Sequence, residues 1–272
     1  MRRTCVFAIV VTACGQGGKS QEDKPRSVPV RPDDRVVEEP LTALPEVPTW
    51  IRDPPDVLRD KVTSVGGQLF VMRSKGPLTD YRTLLPIVEA SPGVVAAEPF
   101  TLLEAEVTSA SRDRVSLAIK AVDPTRVARV LRLESRMKSG SLESLGVDTP
   151  ASIVLGDDLA RFLGVEVGDL VTVKSPASLP PSYAPKAFRV SGTFHVGFDE
   201  YDARHGLVSV TTLQAMLGRS DVMGIEAAVD DIDRSEEIAA AIRAKLNGDY
   251  VVWDWFDANK ALFTKVYGGR RH

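Results

Sequence analysis

The sequence of 272 residues predicts an α+β fold, because strand-like and helix-like segments mix without strict alternation. Three observations support this. Ser152–Val173, SIVLGDDLARFLGVEVGDLVTV, reads as strand, helix, turn and strand in succession. Phe188–Val210 holds two further strands. Arg234–Leu246 places Ile238, Ala241, Ile242 and Leu246 on one face of a helix.

The elements follow in chain order from Asp56. Lys61–Arg73 alternates as a strand, with Gly66-Gly67 as a bulge or bend. Asp80 caps a helix to about Ala90 that turns Leu84, Leu85 and Val88 inward and has Pro86 as an interruption. Ser91-Pro92-Gly93 is a turn, Val94–Val107 one or two strands, and Val115–Val122 another. Asp123-Pro124-Thr125 opens a helix from Arg126 to about Glu134. In the central block, Ser152–Leu155 is a buried strand. Leu159, Ala160, Phe162 and Leu163 form a helical stripe that Gly164 stops. Leu170–Val173 is the next strand. Phe188–Val196 and Leu207–Val210 are strands, and Thr211 or Thr212 caps a short helix ending at Gly218. Ile225–Val229 and Tyr250–Trp253 are strands flanking the helix Arg234–Leu246, and Asp257–Val266 is a final helix.

Composition narrows the function classes. The chain is 43% apolar with net charge −3 and has no long basic run, which argues against a nucleic-acid partner. It contains no Gly-x-Ser-x-Gly, HExxH or CxxC, so no enzyme is expected. Gly15–Ser20 looks like a P-loop fragment, but no strand precedes it. No cofactor is implied. Residues 15–55 are rich in Pro and charge, and read as a disordered tether. About 40 residues of coil span roughly 35 Å, or ~120 Å when stretched as polyproline II.

Six motifs occur in the order found in one family. They are LRDKV (Leu58–Val62), LTDYRTLLPIVEASPGVVAAEPF (Leu78–Phe100), AVDPTRV (Ala121–Val127), GSLESL (Gly140–Leu145), GIEAAVDD (Gly224–Asp231) and DYVVWDW (Asp249–Trp255). With the Ser152–Val173 block, they resemble the periplasmic domain of lipoprotein-releasing ABC transporter permeases of the LolC/LolE family and, more distantly, of MacB-type permeases. The resemblance covers about residues 56–265. It implies two subdomains, a Porter-like one from 56–108 plus 222–266 and an inserted Sabre-like one from 109–221, with 267–272 as a tail. Those permeases cross the membrane four times, whereas no window here has the ~18 apolar residues a spanning helix needs. In the resembled permeases the DW…N…LF stretch leads into a transmembrane helix. Here a short polar end follows, which favours a stand-alone form.

Arg2 and Arg3, the apolar Cys5–Ala13 and a cysteine after Val11-Thr12-Ala13 read as an export signal over 1–13. The junction resembles a bacterial lipobox, which implies diacylglycerol on Cys14 and a tether from 14 to 55. The expected location is the periplasm, anchored to an envelope membrane through the N-terminal lipid. Gly15 after the cysteine points to the outer membrane.

Three candidate sites stand out. The first is the loop 175–185, whose Leu179, Pro180, Pro181 and Tyr183 are expected to form an exposed apolar tip beside Lys174, Lys186 and Arg189. An apolar tip with a polar rim suits a protein-binding hot spot. In the resembled LolC permease, the corresponding hairpin is a hook that captures a carrier, while LolE-type domains share the fold without that role. An ordinary proline-rich connection folding back on the domain is the plain alternative. The second is His195, Asp199, Glu200, Asp202 and His205, which invite a metal reading. The spacing is weak and no metal is assigned. The third is Trp253–Phe256 with Asn259, Leu262 and Phe263, either an acyl-binding surface or a core seal. The resemblance implies a non-catalytic accessory of lipoprotein trafficking that binds a Lol-type transporter complex or a periplasmic lipoprotein carrier. The alternatives are an adaptor for another envelope machine and the periplasmic part of an ABC permease.

Overall fold

The computed structural model describes residues 48–146, 150–176, 183–246 and 248–268. Cys14, Leu179, Pro180 and Pro181 lie outside the described residues.

The fold is α+β, and β2 (Val94–Thr108) is its organising strand. Its first half pairs with β9 (Gly224–Val229), β9 with β1 (Leu69–Arg73), and β1 with β10 (Tyr250–Asp254). These strands make an antiparallel layer built from both ends of the chain. Leu69 and Val71 join one core with Leu84 and Val88 of α2 (Tyr81–Glu89) and Ile238 and Ile242 of α7 (Ser235–Lys245). Phe70 and Met72 alternate to the other face and meet Phe100.

The second half of β2 enters a closed ring. It pairs with β3 (Val115–Val122), which runs parallel to β8 (His205–Ser209). From there the ladder passes to β5 (Ala151–Gly156), β7 (Lys186–Phe194) and β6 (Leu170–Lys174), and β6 returns to β2. Alternate residues of these strands, among them Leu117, Ile119, Ile153, Leu155, Val171, Val173, Phe188 and Val190, fill one continuous core. Gly206 makes room there, since a Cβ would stand 3.1–3.3 Å from Leu155, Ile153 and Leu117. Strand β4 (Met137–Gly140) adds to β7.

The remaining helices cover the outside. They are α1 (Pro55–Val65), α3 (Val127–Val130), α4 (Asp157–Leu163), α5 (Asp199–Arg204), α6 (Val210–Leu217) and α8 (Trp255–Tyr267). A second core holds Trp50, Leu58, Val62, Leu131, Phe194, Phe198, Trp255 and Phe263.

Several expectations change. Lys61–Val65 is helical, and Gly66-Gly67 breaks helix from strand. A side chain at Gly67 would meet Glu226 and Ala227 at 2.8–2.9 Å, so α1 can turn sharply against β9 only here. Folded structure starts before Asp56, because Trp50 is 1% exposed within a short 3-10 turn, Thr49–Arg52. Asp80 does not cap α2 with its side chain; it accepts hydrogen bonds from Arg73 and Tyr250. Pro86 stays inside α2 on its exposed side, where it lacks the N–H that an interior helical residue donates to the carbonyl four residues earlier. The helix after Asp123 is only Val127–Val130. Ser209, not Thr211 or Thr212, caps α6, accepting from the Thr212 N–H. Asp254 caps α8 at the Asp257 N–H. Gly164 and Gly218 end α4 and α6 in the left-handed conformation, as expected.

Candidate partner-binding hairpin

The loop 175–185 joins β6 to β7, whose register pairs Leu170 with Arg189 and Val173 with Lys186. Period-two alternation sends Val171, Val173, Phe188 and Val190 inward, each at most 1% exposed. Thr172, Lys174, Ala187 and Arg189 point outward. The far end of the hairpin is fixed by Gly168, whose N–H donates to the Val190 carbonyl at 2.8 Å and whose carbonyl accepts from Arg189 at 2.7 Å. At the loop end, the Lys174 ammonium lies 3.9 Å from Glu106 of β2. The Lys186 ammonium lies 5.9 Å from the centre of the Phe188 ring. The loop therefore emerges from a rigid base carrying two lysines.

Tyr183 is not part of an exposed tip. It is 8% exposed, and burial raises its hydroxyl above the ordinary phenol range while a Ser175 hydrogen bond opposes the shift. An aromatic side chain next to the strand ends gains more from burial than from exposure. Ala184 and Pro185 are exposed, and Lys186 is half-buried. The hairpin shows an apolar pair at its opposite end instead, where Val167 is 49% and Leu170 is 52% exposed. Their signal was the turn Val165–Asp169, which puts a valine between charged residues with no strand to bury it.

The histidine–carboxylate set separates. His195 Nδ1 lies 3.2 Å from Asp202 Oδ2, and the fully buried Asp202 also accepts from the Val196 and Gly197 N–H groups at 2.8 Å. Burial is the main cause raising the Asp202 carboxyl above its ordinary range, against those bonds and His195. Asp199 accepts from the Thr49 N–H and hydroxyl, and Glu200 from the Trp50 indole. His205 stacks on Tyr201 with ring centres 3.8 Å apart. Asp199 and Glu200 thus tie the N-terminal turn to α5, while Asp202 holds the backbone at 196–197. Asp157, Asp158 and His195 do bring potential ligand atoms within 4.8 Å of one another, but Arg161 pairs with both aspartates.

The aromatic group at 253–263 is core. Trp255, Phe256, Leu262 and Phe263 are buried, with Trp255 edge-on to Phe256 and Phe263. Trp253 alone of the cluster's aromatics is half-buried. Sequence reading also missed a buried charge cluster of Glu98, Lys120 and Glu226. Its signal was one charged residue inside each of the apolar runs Val94–Phe100, Val115–Val122 and Gly224–Val229. Among the described residues, no helix is long and apolar enough to cross a membrane.

LolC, the lipoprotein-releasing system transmembrane protein, of Xylella fastidiosa is 28% identical over 213 residues, covering 77% of this chain and 51% of the relative. LolC of Neisseria meningitidis is 28% identical over 194 residues, 69% of this chain and 46% of the relative. The chain thus spans about half the length of the curated relatives it matches. Among solved structures, the periplasmic region of MacB from Actinobacillus actinomycetemcomitans is similar with TM-score 0.49 and 11% identity, over 80% of this chain and all of that one. The extracellular domain of the transporter YknZ from Gram-positive bacteria has TM-score 0.47 and 10% identity, over 68% of this chain and 99% of that one. The model of the MacB-like periplasmic core domain matches residues 51–245, and the chain belongs to that family.

Proposed function

We propose that this protein is a non-catalytic docking module of lipoprotein trafficking in the periplasm. It presents the 175–185 loop to a Lol-type transporter complex or a periplasmic lipoprotein carrier. Lipid on Cys14 holds it to an envelope membrane, the outer one by the residue after the cysteine, and the Pro-rich segment from Cys14 is its tether. In this reading the antiparallel layer is the Porter-like lobe and the closed ring the Sabre-like lobe.

The supporting observation is the β6–β7 hairpin. Its buried valines and Phe188 hold the base rigid, and Lys174 and Lys186 flank the point where the loop leaves. A preorganised base lowers the entropy lost when a partner closes on the loop. Leu179, Pro180 and Pro181 are the residues assigned to the contact, with Lys186 at the rim. Tyr183 is reassigned from contact to anchor. On this reading the module acts by binding.

The test is photo-crosslinking in intact cells from a probe at position 179. The expected result is capture of a Lol-type subunit or carrier, reduced at least tenfold by Pro181→Ser with Lys186→Glu. Equal capture by that double variant removes the loop assignment. Capture of components of an unrelated envelope machine favours the adaptor alternative. Mass spectrometry of the mature N-terminus tests the lipid; an unmodified start at Met1 refutes it.

A further inference from the structure

Three ionisable side chains meet in a dry place where β2, β3 and β9 adjoin. Glu98 and Glu226 are directly opposed in the β2–β9 register, which puts their Cβ atoms about 4.5–5.5 Å apart. Both are 0% exposed and Lys120 is 6% exposed. Like charges in such a pair repel, and more so away from water.

The partners are unequally shared. The Lys120 ammonium donates to Glu226 at 2.8 Å and to the Val65 carbonyl at the end of α1 at 2.8 Å. Glu226 also accepts the Gly67 N–H at 2.6 Å. Glu98 receives one donor, the Asp123 N–H at 2.8 Å on Oε2. Its Oε1 is buried with no hydrogen-bond partner among the described residues, whereas Glu226 Oε1, also without a hydrogen bond there, lies 2.8 Å from the Lys120 ammonium. Two carboxylates against one ammonium leave one uncompensated negative charge if both are ionised. A carboxyl in that position takes up a proton instead.

Among the described residues, the surroundings offer no second cation. From β3 comes Lys120 alone, and from the following turn Asp123, whose carboxylate bonds Thr125 and lies near Arg126. Arg126 is committed to Glu89, to Asp123 and to the Ala97 carbonyl. From α5, Tyr201 feels the Glu226 charge, and burial and that charge hold its hydroxyl up, hence neutral. From β8, burial keeps His205 uncharged near neutral pH. Phe70 of β1 lies opposite Glu226, and the Phe100 ring centre is 6.0 Å from the Lys120 ammonium.

We propose that Glu98 is a proton-binding site, holding a proton on Oε1 at neutral pH while Glu226 stays ionised against Lys120, so that the junction of antiparallel layer and ring is proton-dependent. Burial first, then the Glu226 charge, keeps the Glu98 carboxyl well above the ordinary carboxylate range. The folded state then retains a proton that the unfolded chain has released. Stability therefore falls as pH rises from the ordinary carboxylate range to the folded value, and is flat above it. This inference is independent of the docking function.

The experiment uses the full chain with ¹³C-labelled glutamate carboxyls. Nuclear magnetic resonance of the wild type at pH 7 is expected to show a protonated glutamate signal that Glu98→Gln removes. The melting-temperature advantage of Glu98→Gln over wild type is expected to grow with pH, by about 3–5 °C per unit within the window. Only ionised glutamates at pH 7, or a protonated signal that persists in Glu98→Gln, overturns the proposal. So do parallel pH–stability curves. Should Glu98→Gln fail to fold, the wild-type titration decides alone, and Lys120→Met provides the converse, a second protonated signal from Glu226.

Discussion

The Trp50 indole N–H donates to Glu200 Oε2 at 2.5 Å, a bond between residues 150 positions apart. It joins the first folded turn to α5, and the Trp50 ring stacks on Phe198 with centres 4.8 Å apart. Residues just ahead of α1 are thereby part of the domain. Trp50→Ala is expected to destabilise the protein by roughly 3–5 kcal/mol through the cavity it leaves. Trp50→Phe keeps most of the packing and is expected to lose about 1–2 kcal/mol for the missing donor. Denaturant unfolding measures both; a Trp50→Phe variant as stable as wild type would mean that the hydrogen bond contributes nothing.

Gly140 sits at φ +66 at the end of β4, and a Cβ there would collide with the Ser191 carbonyl oxygen of β7. Gly140→Ala combines that collision with a strained backbone and is expected to destabilise by about 2–4 kcal/mol. Gly248→Ala is the control, since nothing lies within 4 Å of its Cβ and its φ is not in the left-handed region. Thermal unfolding should separate the two by several degrees.

Burial pushes the His205 ring down to about 4. An unfolded histidine takes its proton at about 6.5. Between those values the unfolded state binds the extra proton, so stability falls as pH drops from about 6.5 to 4. His205→Phe preserves the stack on Tyr201 and is expected to shed less stability over that window. Wild-type and variant curves of the same slope would refute the assignment.

Tyr183→Ser removes a buried ring at the foot of the hairpin and is expected to destabilise by roughly 2–4 kcal/mol. Tyr183→Phe retains the ring and is expected to stay within about 1.5 kcal/mol of wild type. Neither follows if the side chain faces water, in which case Tyr183→Ser leaves the unfolding midpoint unchanged.

The strands whose residues alternate or run apolar were legible. Val115–Val122 was read residue for residue, and the central strand–helix–strand block was read with its Gly164 stop. Helix α1 was missed although its signal was present. Pro55 starts it, and Leu58, Val62 and Val65 recur at helical spacing, but the β-branched Val62, Thr63 and Val65 lead into the apolar Leu69–Met72 and drew one strand reading across both. Strand β4 is MKSG, with no apolar pattern; pairing with β7 alone makes it a strand. Helix α5 is six residues whose acids serve contacts far along the chain, which no local pattern encodes. At the candidate site, the hairpin and its lysines were legible. The inward turn of Tyr183 was not, because an aromatic beside prolines fits tip and anchor equally well.

Strand β2 belongs to the layer up to Phe100 and to the ring from Thr101, with no break between. Its 15 residues span about 50 Å. A load applied to the ring enters the layer along the covalent backbone of β2 and spreads from there through the ladder hydrogen bonds to β9, β1 and β10. The two halves share one spar, so they should lean together as a single lever.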